Sequence, residues 1–113
     1  MAATLKKEER LSGKKAIASL LTKGGWGHSG RLKYCVLKEN GQEFNRILVC
    51  VPKKFFKRAV KRNLLKRRIR EAYRTQKDSA ANIGNDIMLL YNSAEIAEYA
   101  QIRRDVAAIL EKL

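Results

Sequence analysis

A run of cationic side chains lies between Lys53 and Arg74, where eleven Lys or Arg residues accompany a single carboxylate, Glu71. At about 100° per residue, helical spacing places a polar face on one side of this segment and an apolar stripe on another. The polar face comprises Asn63, Lys66, Arg67, Arg70 and Arg74, and the apolar stripe Leu65, Ile69, Ala72 and Tyr73. Guanidinium groups are planar forks of N–H donors that match phosphate oxygens. The segment therefore predicts a helix that binds a polyanion.

The charge of the whole chain points the same way. Its 25 Lys or Arg residues and 11 Asp or Glu residues give a formal net charge of +14 and an isoelectric point near 10.2. A merely solvated basic surface intersperses both signs, whereas this excess is concentrated in one segment. Nucleic acid is the first candidate partner. A basic helix lying on a membrane is a weaker alternative, because the strands predicted around it imply a packed domain.

The chain offers little of what a protein catalyst requires. Its only histidine, His28, lies in a glycine-rich stretch with no acidic cluster nearby. His28, Cys35 and Cys50 lack a fourth partner at a zinc-binding interval, and no glycine-rich nucleotide motif precedes a helix. If a reaction is involved, another molecule supplies the catalytic groups and any metal ion.

The remaining composition predicts a single domain over residues 1–113, with a loose arm at residues 1–10. No apolar stretch is long enough for a signal peptide or a membrane span, which favours the cytoplasm. Cys35 and Cys50 fall in adjacent predicted strands but not opposite each other, so no disulfide is implied. We expect both thiols to be buried and reduced.

Periodicity and turn residues predict the elements of the first half. Ser12 can cap a helix over residues 13–23, which Gly24 and Gly25 end with left-handed conformations. Residues 26–30 read as a flexible connector. Residues 31–39 and 44–51 have the composition of strands, and Asn40-Gly41 between them indicates a hairpin.

The second half predicts a helix, a strand and a helix. Pro52 ends the preceding strand, and the basic helix covers residues 57–76. Residues 86–91 form a short, continuously apolar run that predicts a buried strand. The last helix carries Ile102, Val106, Ile109, Leu110 and Leu113 on one side. The predicted order is αββαβα, an α+β domain.

The segment from Ala59 to Arg74, AVKRNLLKRRIREAYR, resembles the signature of the bacterial ribonuclease P protein family, whose pattern is R-N-R-x-K-R-x-x-R-E. A Lys-Lys pair after a strand, here Lys53-Lys54, and a short strand opened by Asp86 also match, so the resemblance covers almost the whole chain. It implies a small two-layer αβ sandwich with a left-handed βαβ crossover, a fold shared with a ribosomal protein domain.

The resemblance also implies a function. Such proteins bind a large catalytic RNA that holds Mg²⁺, and together they cleave the 5′ leader from precursor tRNA; no further protein partner is implied. The residues that would face the catalytic RNA are Lys53, Lys54, Arg62, Asn63, Lys66, Arg67 and Arg70. The alternative is a general RNA-binding protein of ribosomal or chaperone type, which would share the charge and the fold.

This chain departs from the family pattern at two places. Leu64 replaces the second arginine of R-N-R, so one contact is missing or has moved, with neighbouring Arg68 as the candidate. Ile17 and Leu21 stand where the family often presents two phenylalanines to the leader, which keeps apolar contact but removes stacking.

The leader cleft is expected to consist of the sheet face, the first helix and the strands around it. Tyr34 is a candidate stacking residue, and Arg31, Lys33 and Arg46 are candidate phosphate contacts. Tyr34 is equally well explained as a core residue, and the three cations as solvated strand edges. Trp26 fits either a packing or a stacking role, and the sequence does not decide between them.

Overall fold

The computed structural model describes residues 7–80 and 82–113. It contains a four-stranded sheet in the order β1-β2-β4-β3, in which β4 is antiparallel to β2 and parallel to β3. The elements are α1 (Lys14–Lys23), β1 (Gly25–Ser29), β2 (Leu32–Leu37), β3 (Arg46–Cys50), α2 (Ala59–Gln76), β4 (Asp86–Tyr91) and α3 (Tyr99–Glu111). The α+β class and the βαβ crossover, made by β3, α2 and β4, are confirmed.

The element order contains one strand more than predicted. The predicted connector at residues 26–30 is wrong, because Gly25–Ser29 forms the edge strand β1 and pairs with β2. Two of its five residues are glycines, which are poor strand formers, so its local composition did not indicate a strand. Backbone pairing with β2 overrides that local preference. The observed order is αβββαβα.

The predicted hairpin of β2 and β3 is also wrong, because β4 lies between these strands. Asn40 does lie in a tight connection, but its amide N–H donates to Gly84 O at 2.8 Å and its side chain donates to Asp86 Oδ1 at 2.9 Å. The connection is therefore tied to the start of β4. The nearly continuous burial of β4 fits its central place, since its side chains pack into apolar clusters on both faces of the sheet.

The sheet separates two apolar clusters. On one face, α2 and α3 pack against side chains that include Leu32, Ile47, Val49, Ile87 and Leu89, and this forms the predicted two-layer sandwich. On the other face, α1 buries Leu20 against Cys35 and Met88. Cys35 and Cys50 are both free thiols, Cys35 buried and Cys50 half-buried.

Residues 7–10 of the predicted arm lie against the sheet, and residues 1–6 are outside the described residues. Lys7–Glu9 is a short 3-10 turn, after which Arg10 pairs with Ile47 of β3. Glu9 is buried and accepts a hydrogen bond from Lys77 Nζ at 2.8 Å. Both interactions hold this segment beside β3 and the end of α2.

The turn from α1 to β1 depends on close packing at Gly24. Ser12 is not the cap of α1; Gly13 occupies that position without a side-chain hydrogen bond. Gly24 ends the helix as predicted, but with φ −73° rather than a left-handed conformation. A Cβ at Gly24 would lie 2.5 Å from Leu20 O and 2.6 Å from Cys35 Sγ. Glycine is therefore required at this position because there is no room for a side chain.

We predict that Gly24→Ala lowers the free energy of unfolding by about 1–3 kcal/mol, because the added methyl group overpacks the α1–β2 contact. Urea denaturation measures the change. Gly25→Ala is the matched control, because a Cβ there meets no atom within 4 Å. Equal losses in the two variants would show that backbone conformation, and not space, explains Gly24.

Candidate nucleic-acid interface

Helix α2 is held by the apolar stripe that the sequence predicted. Leu65, Ile69 and Ala72 have no exposed surface, and Tyr73 is 2% exposed. Burial also raises the pKa of the Tyr73 hydroxyl well above its ordinary value. Since this stripe lies inside the core, α2 has no apolar face to place on a membrane. The fixed stripe determines which side chains the helix presents outward.

The outward face of α2 carries most of the predicted polar residues. Asn63, Arg67 and Arg70 are exposed, and Lys66 is half-buried. Arg67 and Arg70, together with Arg74, line a concavity of about 260 Å³ that also includes Arg10 and Glu71. Glu71, which pairs with Arg74, is the one carboxylate beside the four guanidinium groups that line this concavity. Such a concavity suits a phosphate group, which can accept from several guanidinium donors at once.

Arg10 is a member of this cluster that the sequence did not reveal. It lies in a segment far from α2 along the chain and reaches the concavity because its backbone pairs with Ile47 at the outer edge of β3. No local pattern marks it, since its position depends on the order of the strands.

Residues at the entrance of α2 divide into exposed and bound cations. Lys53 and Lys54 are exposed, and Lys54 Nζ lies 4.9 Å from the Phe55 ring centroid. Arg62 is half-buried, and its Nη1 donates to Phe56 O and Lys57 O, at 2.8 Å each. Arg62 therefore fastens the preceding loop to the helix.

Arg68, the candidate to replace the missing motif arginine, donates a hydrogen bond within the protein. Leu64 is half-buried, and Arg68 Nη1 donates to Ala97 O at 2.7 Å, next to the start of α3. This hydrogen bond directs Arg68 to a neighbouring loop of the protein. Arg68 is thus tied to the protein through Nη1, and its role as a replacement contact stays a prediction.

A second surface lies on the sheet face that α1 only partly covers. Ile17 is half-buried against the Leu20 cluster, and Leu21 is 41% exposed. Strand register places Trp26, His28 and Lys33 on this same face, with Trp26 opposite Cys35 and His28 opposite Lys33. We call the surface formed by Ile17, Leu21, Trp26, His28, Lys33 and Cys50 the open sheet face.

Cys50 connects the open sheet face with α2. Burial raises the pKa of its thiol, and the nearby Lys66 ammonium opposes this shift by favouring the thiolate. Burial likewise raises the pKa of the Cys35 thiol, whose sulfur donates to Leu20 O at 3.2 Å. Burial thus disfavours the nucleophilic thiolate form of both cysteines.

Three predicted leader contacts are engaged elsewhere. Tyr34 packs against the core on the opposite face of the sheet, where Lys112 Nζ lies 5.5 Å from its ring centroid. Arg46 binds both carboxylate oxygens of buried Asp86, at 2.8 and 2.9 Å. Arg31 pairs with Glu95 at 3.2 Å on the surface. Among the predicted leader residues, Ile17, Leu21 and Lys33 belong to the open sheet face, and Tyr34 lies on the opposite face. Arg46 is on the α1 side of β3, like Leu48 and Cys50, but its guanidinium group binds Asp86.

The described residues offer no site for protein-based metal chemistry. No three of their His, Cys, Asp and Glu side chains come together in an arrangement that could hold a metal ion. No helix within residues 7–80 and 82–113 has the length and hydropathy needed to cross a membrane. The described surface offers guanidinium groups on α2 and exposed apolar and aromatic groups on the open sheet face.

Together these features define a small, basic α+β domain whose crossover helix presents cations for nucleic acid. The family model described as Ribonuclease P matches residues 5–113. The ribonuclease P protein component of Petrotoga mobilis is 35% identical, with 97% of this chain and 95% of the relative covered. That of Syntrophus aciditrophicus is 30% identical over 96% of this chain and 90% of the relative. The chain belongs to the ribonuclease P protein family.

Solved structures agree on the fold. The RNase P protein from Thermotoga maritima superposes with a TM-score of 0.81 at 24% identity, covering 93% of this chain and 97% of that protein. A Staphylococcus aureus RNase P protein gives a TM-score of 0.79 at 22% identity, covering 92% and 94%. The strand order that the sequence did not predict therefore occurs in a known architecture.

We predict that Arg46→Ala destabilises the fold by about 3 kcal/mol, because it leaves the buried Asp86 carboxylate without its bidentate partner. Urea denaturation measures the loss. Arg31→Ala is the matched control, since its exposed pair with Glu95 contributes about 1 kcal/mol or less. A stable Arg46→Ala protein with weakened RNA binding would instead support the original prediction of a phosphate contact.

Proposed function

We propose that this chain is the protein subunit of a ribonuclease P holoenzyme, which removes the 5′ leader of precursor tRNA in the cytoplasm. The observation that carries the proposal is the exposed cationic face of α2, whose residues fit the family signature in a chain that matches the family model over residues 5–113. The catalytic groups and Mg²⁺ belong to the RNA subunit. The protein contributes binding and orientation.

Helix α2 is the proposed contact with the catalytic RNA. Arg67 and Arg70 offer two-pronged donors to the phosphates of a folded RNA, while Asn63 and Lys66 add single donors beside them. Lys53, Lys54 and Arg62 extend the surface at the helix entrance, where the remaining N–H groups of Arg62 can reach phosphate. The concavity adds Arg10 and Arg74 at the other end.

The open sheet face is the proposed path of the leader. Ile17 and Leu21 provide apolar contact for bases, and Lys33 provides charge for the backbone. The path lies beside the cationic helix, since Arg70 of α2 lines one concavity with Leu48, which packs in the same α1-side cluster as Ile17. One continuous surface can thus bind the catalytic RNA and the leader of its substrate.

The proposed division of labour determines how the protein assists the reaction. Two RNA molecules repel each other at close range, and the cations of α2 reduce that repulsion. Mg²⁺ performs the same screening in the absence of protein, so the two contributions partly replace one another. The protein is therefore expected to matter most at low Mg²⁺ concentration.

We predict that the protein alone leaves precursor tRNA intact and that, added to its catalytic RNA at low Mg²⁺ concentration, it restores efficient cleavage. Gel analysis of a 5′-labelled precursor measures the released leader. Cleavage by the protein without RNA would contradict the proposal. A general RNA-binding protein would show equal affinity for precursor and mature tRNA in the presence of the catalytic RNA, and this comparison separates the two functions.

We predict that Arg67→Ala or Arg70→Ala weakens binding to the catalytic RNA and flattens the dependence of log affinity on log salt concentration by about one unit, as expected for one lost phosphate contact. Filter binding over a series of salt concentrations measures both quantities. Arg104→Ala removes the same charge from the exposed side of α3 and serves as the control.

The Lys variants separate geometry from charge. Arg67→Lys and Arg70→Lys keep the cation but lose the two-pronged fork, so their affinity should also fall. Equal affinities of the Arg and Lys proteins would indicate nonspecific charge attraction. A loss in Arg104→Ala as large as in the α2 variants would contradict the assignment of α2.

A further inference from the structure

Trp26 is the only tryptophan of the chain, and it lies exposed in the edge strand β1. Its side chain is 47% exposed, which is unusual for so large an apolar group. Its partner across the ladder is Cys35, whose sulfur points to α1, so the indole stands on the open sheet face. Leu21, another exposed apolar residue, lies near the end of α1, shortly before Trp26 in the chain.

One cation lies beside the indole on this face. Lys33 Nζ lies 4.9 Å from the Trp26 ring centroid, within the range of a cation–π interaction. His28 stands opposite Lys33 and is exposed. An unpaired nucleotide combines an aromatic base with a phosphate, and an aromatic ring beside an ammonium group complements both.

The strand that carries Trp26 is supported from behind. Trp26 precedes Gly27, and on the opposite face of the sheet the ring of Tyr34 fills the space that a side chain at Gly27 would occupy. Tyr34 thus covers the glycine from the core side and keeps the edge strand in place. A ring carried on a fixed strand loses less conformational freedom when a ligand binds than a ring on a mobile loop.

We propose that Trp26 and Lys33 form a stacking site for one unpaired nucleotide of the precursor tRNA leader, Trp26 contacting the base and Lys33 the adjacent phosphate. This inference rests on the proposed function and specifies a subsite of the open sheet face. It also provides a base-stacking group in a chain whose α1 carries the aliphatic residues Ile17 and Leu21, which cannot stack on bases. Stacking tolerates any base, so the site selects unpaired RNA rather than a sequence.

The strand order sets which part of the leader can reach this site. Helix α2 contacts β3, whereas Trp26 lies on β1 at the other edge of the sheet. Three strand spacings separate these edges, roughly 14 Å in all. A leader that enters beside α2 must cross this distance, so short leaders end before Trp26.

The experiment uses the emission of Trp26 in the reconstituted holoenzyme, under conditions that slow cleavage. Mature tRNA and precursors with leaders of increasing length are added in turn. We expect quenching to begin only above a threshold leader length and to be absent with mature tRNA. Quenching by the catalytic RNA alone, with no further change on adding precursors, would assign Trp26 to that RNA and overturn the proposal.

Affinity measurements on variants provide the second arm. Trp26→Ala should weaken binding of long-leader precursor about fivefold or more, the effect of losing one stacked base, and leave mature tRNA unaffected. Trp26→Phe keeps a ring and should lose less. Ile83→Ala is the control, since Ile83 is 66% exposed and lies outside the open sheet face. Thermal melting checks that each variant is folded.

The outcomes for the proposed function and for this site are distinguishable. If the wild-type protein fails to support cleavage, the proposed function is wrong, and the leader assignment falls with it. If cleavage is supported, but emission is independent of leader length and Trp26→Ala binds like the wild type, only the stacking site is wrong.

Discussion

The burial of one apolar stripe of α2 is the interaction on which the rest of the structure depends. The segment from Lys53 to Arg74 has eleven cations, and their mutual repulsion opposes a compact helix. Leu65, Ile69 and Tyr73 anchor it in the core between the sheet and α3. Two of these cations donate hydrogen bonds to backbone carbonyl groups of neighbouring loops. Arg62 donates to Phe56 and Lys57, and Arg68 donates to Ala97. On the outward face, Arg67 and Arg70 make no such carbonyl contact among the described hydrogen bonds.

The sequence was sufficient wherever a local pattern determines the element. Helices α2 and α3 and the strand β4 follow from their own periodicity and continuous apolar content. The features that the sequence did not predict depend on pairing between segments that are distant in the chain. The edge strand β1 has little local signal, and the place of β4 between β2 and β3 depends on burial of the whole sheet. Helical periodicity placed Asn63, Arg67 and Arg70 on a face that is exposed, but no local pattern indicated Arg10, which reaches the concavity through β3.

The roles predicted for side chains on the sheet depend on features that the sequence does not contain. Neighbouring residues of a strand point to opposite faces, so a stacking role for Tyr34 required a register that the sequence does not contain. The observed register places Tyr34 in the core and Trp26 and Lys33 on the open sheet face. The partner of Arg46 is likewise distant in sequence, because β3 and β4 are joined through α2. Residue type alone indicated a phosphate contact, and only the fold reveals the buried carboxylate that binds this arginine.

The arrangement of cations links stability to the partner. Arg67 and Arg70 contribute no carbonyl contact comparable to those of Arg62 and Arg68 among the described hydrogen bonds, and they share a concavity with Arg10 and Arg74. In the isolated chain these groups repel one another, and a bound polyanion removes that repulsion. Under the proposed function, RNA that binds the folded chain in preference to the unfolded one would also stabilise the fold by mass action. The excess charge on α2 therefore opposes compaction of the isolated chain and favours the proposed complex with RNA.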